Sequence, residues 1–142
     1  MGLAEPAPWL LLVAGAHLGF QLTVDLVVYP ALGDVGPEHW TEAHDRHGRR
    51  ITPVVAAIYP PLVLLLGWAA VAEPRAVGTW LAVAGGLLSV ATTAAVAAPT
   101  HGRLSSAAPS DRAALLRRLD RADRVRSIGA LVCAAGGLAL AL

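Results

Sequence analysis

Four polar side chains recur at every fourth position of the first apolar stretch: His17, Gln21, Asp25 and Tyr29. On one α-helix this spacing draws a slowly drifting ridge along a single face. A histidine beside an aspartate can titrate near neutrality and act as a general base. A second set follows, because Trp40, His44, His47 and Ile51 fall within about 40° of one another at the helical 100° per residue. Glu38, Glu42, Asp45 and Arg49 gather on the other side, with Glu42–Arg46 and Asp45–Arg49 spaced as favourable pairs. His101 follows Pro99, and Arg126 is the one arginine on the apolar face formed by Leu115, Leu119 and Ala122. An arginine there can hold a developing enolate-like oxyanion. The catalytic candidates are therefore His17, Asp25, His44, His47 and Arg126, and the substrate-binding candidates Gln21, Tyr29, Trp40 and His101. The HxxH spacing of His44 and His47 also suits a transition metal, although the carboxylates of a di-iron bundle are missing. The cofactor is left as none or a His-bound transition metal.

The elements that carry these groups must be membrane spans. Apolar residues make up 56% of the 142 positions and charged residues only 15%, which is too apolar for a soluble domain of this size. Four runs approach or exceed the roughly 20 helical residues a bilayer requires: Trp9–Tyr29, Ile51–Ala72, Val77–Ala98 and Val125–Leu142. No basic segment precedes the first run, so it reads as a retained span rather than a secretory signal. The expected fold is all-α: a single domain over 1–142, a four-transmembrane-helix bundle with cytoplasmic amphipathic helices in its two long loops.

Arginine sets the expected orientation. The chain has no lysine; three arginines lie in Pro30–Arg50 and seven in Arg103–Arg126, against only Arg75 in the turn Glu73–Ala76. Both long loops should face the cytoplasm of a multi-pass cell-membrane protein, with the N and C termini outside. Trp9, Trp68 and Trp80 then all fall at the outer interface, where amphipathic rings prefer to sit. The net charge of +1 gives no reason to expect nucleic acid, and the lone Cys133 excludes an intramolecular disulfide or a CxxC pair. The expected partners are the lipid bilayer and a lipophilic small molecule, with a homo-oligomer left open.

The two halves of the chain share a grammar. In each, a span exits through a proline, turns, runs along an amphipathic stretch and re-enters after arginines, which suggests a parallel pseudo-repeat of 9–72 and 77–142. Thr52 and Pro53 read as the start of span two, and Ser110 as the cap of the second loop helix. Pro60 and Pro61 should kink span two. Gly15 and Gly19 form a GxxxG pattern suited to close helix packing.

An aspartate within a span costs roughly 2.5–3.5 kcal/mol by insertion scales, so the ridge of the first helix should face inward. The bland reading is that Gln21 and Asp25 only join neighbouring helices, with Asp25 meeting an arginine. The functional reading places His17, Asp25, His44, His47 and Arg126 around one pocket, entered sideways from the bilayer by a lipophilic phenol or ketone.

The segments "YPAL", "W...H..H" ending in "RRITP", "PTHGRL" and "DRADRVRSIGAL" resemble the DUF1772, anthrone oxygenase-like family of small four-span membrane proteins. His101 stands where that family usually has asparagine, and Arg118, Asp120, Asp123, Arg126 and Ser127 stand where it tends to show Trp, Asn and Arg-Thr. The resemblance implies a cofactor-independent oxidation of a polycyclic anthrone. His17 or His44 would then remove the acidic C–H proton, Asp25 would orient the base, and Arg126 would hold the oxyanion. The alternative is a non-enzymatic membrane protein that binds or transports a metal ion or proton, or acts as an assembly partner.

Overall fold

The computed structural model describes residues 5–142, and all regular structure among them is helical. Four helices are long and apolar enough to cross a membrane: α1 (Pro6–Gly33), α2 (Trp40–Ala72), α3 (Val77–Leu104) and α4 (Pro109–Ala141). Their outer surface is an apolar skin on which Leu12, Leu26, Leu64 and Leu131 are exposed, as a bilayer-embedded, multi-pass protein requires.

The amphipathic stretches of the two long loops are not separate elements. The helix expected around Trp40–Ile51 is the first part of a 33-residue α2, and the one after Ser110 is the first part of a 33-residue α4. The pattern accounts for this. No glycine or proline separates Ser110 from Ile128, and the apolar face of each stretch runs in phase into the span behind it. Thr52 and Pro53 thus open no helix; the Thr52 hydroxyl donates to the Gly48 carbonyl one turn back. Pro53 removes a donor near the polar end of α2, where water can serve the freed carbonyl. Ser110 lies inside α4, one residue after Pro109 fixes the first turn.

Spans one and three also run on past their expected ends, through Pro30 and Pro99. Each contains a wider π-helical turn just before its proline, at Val24–Val28 and at Thr93–Ala97. The Tyr29 amide donates to the Val24 carbonyl and the Ala98 amide to the Thr93 carbonyl, both five residues back. Such a turn carries one more residue than an α-turn and gives the ring of the following proline room. The two hairpins therefore match in plan: a 28-residue helix with a π turn near its end, then a 33-residue helix.

The tightest seam joins α3 to α4. A Cβ added to Gly85 would lie 2.5 Å from the Gly129 carbonyl oxygen, and one on Gly78 would lie 2.8 Å from that of Gly136. Only glycine permits that approach of two backbones. The expected pair Gly15 and Gly19 takes no such part: both face away from the buried side of α1, with nothing within reach of an added Cβ. Two cores flank the middle of the bundle. Leu10, Leu62, Leu66 and Cys133 pack toward the short-turn end, and Leu32, Trp40, Leu104 and Leu119 toward the loop end.

Candidate functional site

A cavity of about 290 Å³ opens just above the loop-end core. Its apolar walls include Phe20, Val24, Ile51, Val55 and Ala97, and its polar groups are concentrated on Tyr29, His44, His47, His101 and Arg126. All four helices contribute. Both π turns lie against it, through Val24 on one side and Thr93 and Ala97 on the other, a setting in which such turns recur.

The polar side chains are linked in a row. Arg126 donates from Nη2 to the Tyr29 hydroxyl at 3.2 Å, and that hydroxyl lies 3.1 Å from His101 Nε2. His101 Nδ1 in turn lies 3.4 Å from His44 Nε2. The His47 ring stacks on His101 with centroids 5.5 Å apart, and Trp40 stacks behind His44 at the same separation. Trp40 is held there by its indole N–H, which donates to the Leu104 carbonyl at 3.3 Å, and by Arg112 over its ring. It therefore backs the site without reaching the cavity wall.

Helix phase explains how these groups meet. On α2, Trp40 and His44 are buried and His47 half-buried, whereas Glu42, Asp45 and Arg49 are exposed; Glu42 pairs with Arg46, while Asp45 and Arg49 do not pair. On α4, Leu115, Leu119, Ala122 and Arg126 are buried on one face as their spacing predicts. His101 comes from the run-on turn of α3 beyond its π segment.

The ridge on α1 is divided. His17 and Gln21 are fully buried and face the bundle, as their cost in lipid demands. Neither lines the cavity. The His17 ring meets Tyr59 edge-on at 5.1 Å, and the Tyr59 hydroxyl lies 3.0 Å from Thr93 Oγ1. No side-chain nitrogen or oxygen of His17 or Gln21 has a hydrogen-bond partner among the described residues. Asp25 leaves the ridge altogether. It lies about 80° round the helix from His17 at the ordinary helical period, and at the start of the π turn Val24 takes the buried position while Asp25 is half-exposed with no ion-pair partner among the described residues. The expected Asp25–histidine and Asp25–arginine contacts do not form.

The carboxylate that serves Arg126 is Asp123, which is fully buried and bonded to Nη2 of the guanidinium. Its i, i+3 spacing from Arg126 and its position four residues after Leu119 place it on the inner face of α4, so the wheel could have found it. Thr93 and Tyr59 had no such signal, since their pairing depends on how α2 and α3 meet. Among the described residues no group of three His, Cys, Asp or Glu side chains is placed to hold a metal ion. The arrangement can pass a proton between imidazole and phenol and offer N–H and O–H donors to an oxygen that gains charge. No protein family, curated protein or solved structure matches this chain in the comparisons made.

Proposed function

We propose that the protein is a small membrane enzyme that oxidises a lipophilic aromatic ketone or phenol of the anthrone kind with dioxygen. The observation that carries this reading is the hydrogen-bonded row Arg126–Tyr29–His101 set into a cavity whose remaining walls are mostly apolar. Apolar walls suit fused rings, and the row supplies the few directed polar groups that fix a ligand's orientation. The resemblance to anthrone oxygenase-like proteins points the same way.

The chemistry balances without a further co-reactant. An imidazole removes a proton from the ring CH2 that lies across the central ring from the conjugated carbonyl, and Arg126 and Tyr29 donate hydrogen bonds to the resulting enolate oxygen. The carbanion is oxidised by dioxygen, and a carbon–oxygen bond forms to give a hydroperoxide. Loss of the second proton from that carbon breaks the O–O bond, so CH2 and O2 become C=O and water. We assign the base to His101, which touches both the cavity and Tyr29, in preference to His17, which lines no part of it. Asp123 holds the guanidinium in place, the task first expected of Asp25 toward a histidine. We also place both long loops in the cytoplasm, on the strength of the arginine asymmetry.

The test is turnover of anthrone by protein reconstituted in lipid nanodiscs, followed by ketone absorbance and an oxygen electrode. One dioxygen should be consumed per ketone formed. Folded His101→Ala and Arg126→Gln variants should lose about 100- to 1000-fold in kcat/KM. Turnover like that of the parent in both variants would overturn the reading. The alternative of metal or proton handling without catalysis would be favoured by a stoichiometric metal in the purified protein that His44→Ala/His47→Ala removes.

A further inference from the structure

A second concavity, of about 600 Å³, lies on the outside of the bundle between α3 and α4, far in chemistry from the histidine site. Arg117, Arg118 and Arg121 line it together with Val96, Ala122 and Val125. Among the described residues the three guanidinium groups have no ion pair or hydrogen bond to another side chain, because the carboxylates nearest in sequence are engaged elsewhere. Asp120 pairs with Arg124 at 3.0 Å, and Asp123 pairs with Arg126. The groove therefore brings three guanidinium groups, unpaired among the described residues, beside the aliphatic surface of Val96, Ala122 and Val125.

Its position along α4 gives the second half of the argument. Behind the arginines the chain runs from Ser127 to Leu142 without a charged residue, so the groove stands where the helix passes from headgroups into hydrocarbon. Ile128 and Leu131 are exposed beyond it and continue the apolar surface inward. A free anion would use only the guanidinium groups. A ligand with an anionic head and an aliphatic tail uses both parts, and planar guanidinium forks suit phosphate oxygens better than an ammonium point charge does.

We infer that this groove is a specific site for an anionic glycerophospholipid, its phosphate held by Arg117, Arg118 and Arg121 and an acyl chain lying along Val96, Val125 and Ile128. The site is independent of the oxidation proposed above. The experiment reconstitutes the full chain in vesicles of equal parts phosphatidylcholine and phosphatidylglycerol, extracts it gently and reads retained lipids by native mass spectrometry. Phosphatidylglycerol should be enriched about tenfold over phosphatidylcholine. The Arg117→Gln/Arg118→Gln/Arg121→Gln triple variant should lose that enrichment, while an Arg49→Gln/Arg50→Gln/Arg103→Gln triple, which removes equal charge elsewhere, should keep it. Equal loss in both triples would show diffuse attraction and overturn the site. Displacement of the retained lipid by millimolar inorganic phosphate would show a free-anion site and overturn the lipid assignment. Should the glutamine triple fail to fold, the corresponding Arg→Lys triple keeps the charge: weakened retention is expected of fork recognition, and unchanged retention would count against it.

Discussion

The two ends of the bundle solve opposite problems. Toward the short turn, α3 and α4 meet backbone to backbone at Gly78, Gly85, Gly129 and Gly136, and little besides dispersion is available to join helices in lipid. Toward the long loops the same helices are held apart by rings and a guanidinium, and a cavity results. The contrast teaches that the polar site depends on the dry seam: close contact at one end fixes the positions from which Arg126 and His101 converge at the other. Ser89 marks the changeover, donating its hydroxyl to the Arg126 carbonyl at 2.7 Å and so tying the seam to the residue that anchors the row.

The largest effect should come from the seam. Gly85→Leu/Gly136→Leu should yield no folded protein in detergent, since overpacking costs up to about 3 kcal/mol at each site and here the obstacle is backbone. Size exclusion and thermal unfolding would show it, and a normally folded double variant would refute the seam's role. Next comes the buried ion pair: Asp123→Ala should destabilise by about 3–5 kcal/mol by stranding Arg126 in the interior. Asp123→Leu/Arg126→Leu should recover much of that loss without recovering turnover. A smaller effect, in the opposite direction, is expected at Gln21. Gln21→Leu should raise stability by about 1–3 kcal/mol, because the amide has no hydrogen-bond partner among the described residues. A loss of stability there would show that the amide is satisfied. Smallest is Tyr29→Phe, which removes one partly buried hydroxyl and should cost about 1 kcal/mol in unfolding.

The dry end was legible in the sequence in kind, though not in detail. Run length and composition give four spans, but the glycine pair that draws the eye, Gly15 and Gly19, faces outward, and the working glycines are spread over two helices distant in sequence. At the wet end, the faces of α2 and α4 follow from the helical period, so Trp40, His44, His47 and Arg126 are found where a wheel puts them. The period fails on α1. A spacing of four overshoots the turn by about 40° per step and leaves Asp25 half-exposed, whereas the slower advance through the π segment at Val24–Val28 turns Tyr29 back to the cavity. Trp40 and Gln21 were placed on the correct side yet one layer too deep to touch a ligand. Pairings across helices, such as Tyr59 with Thr93, depend on axial offset, and no local pattern encodes that.

Those two widened turns also act as phase adjusters. A straight helix that crosses a membrane must show one continuous side to lipid from top to bottom, which ties the orientation of its last turn to that of its first. Absorbing a surplus residue in α1 and in α3 breaks the tie, so the run beyond each turn is free to aim Tyr29 or His101 inward whatever the lipid-facing part requires. Deleting one residue from either turn would leave the span long enough for the bilayer and yet swing everything past it by about a quarter of a circle.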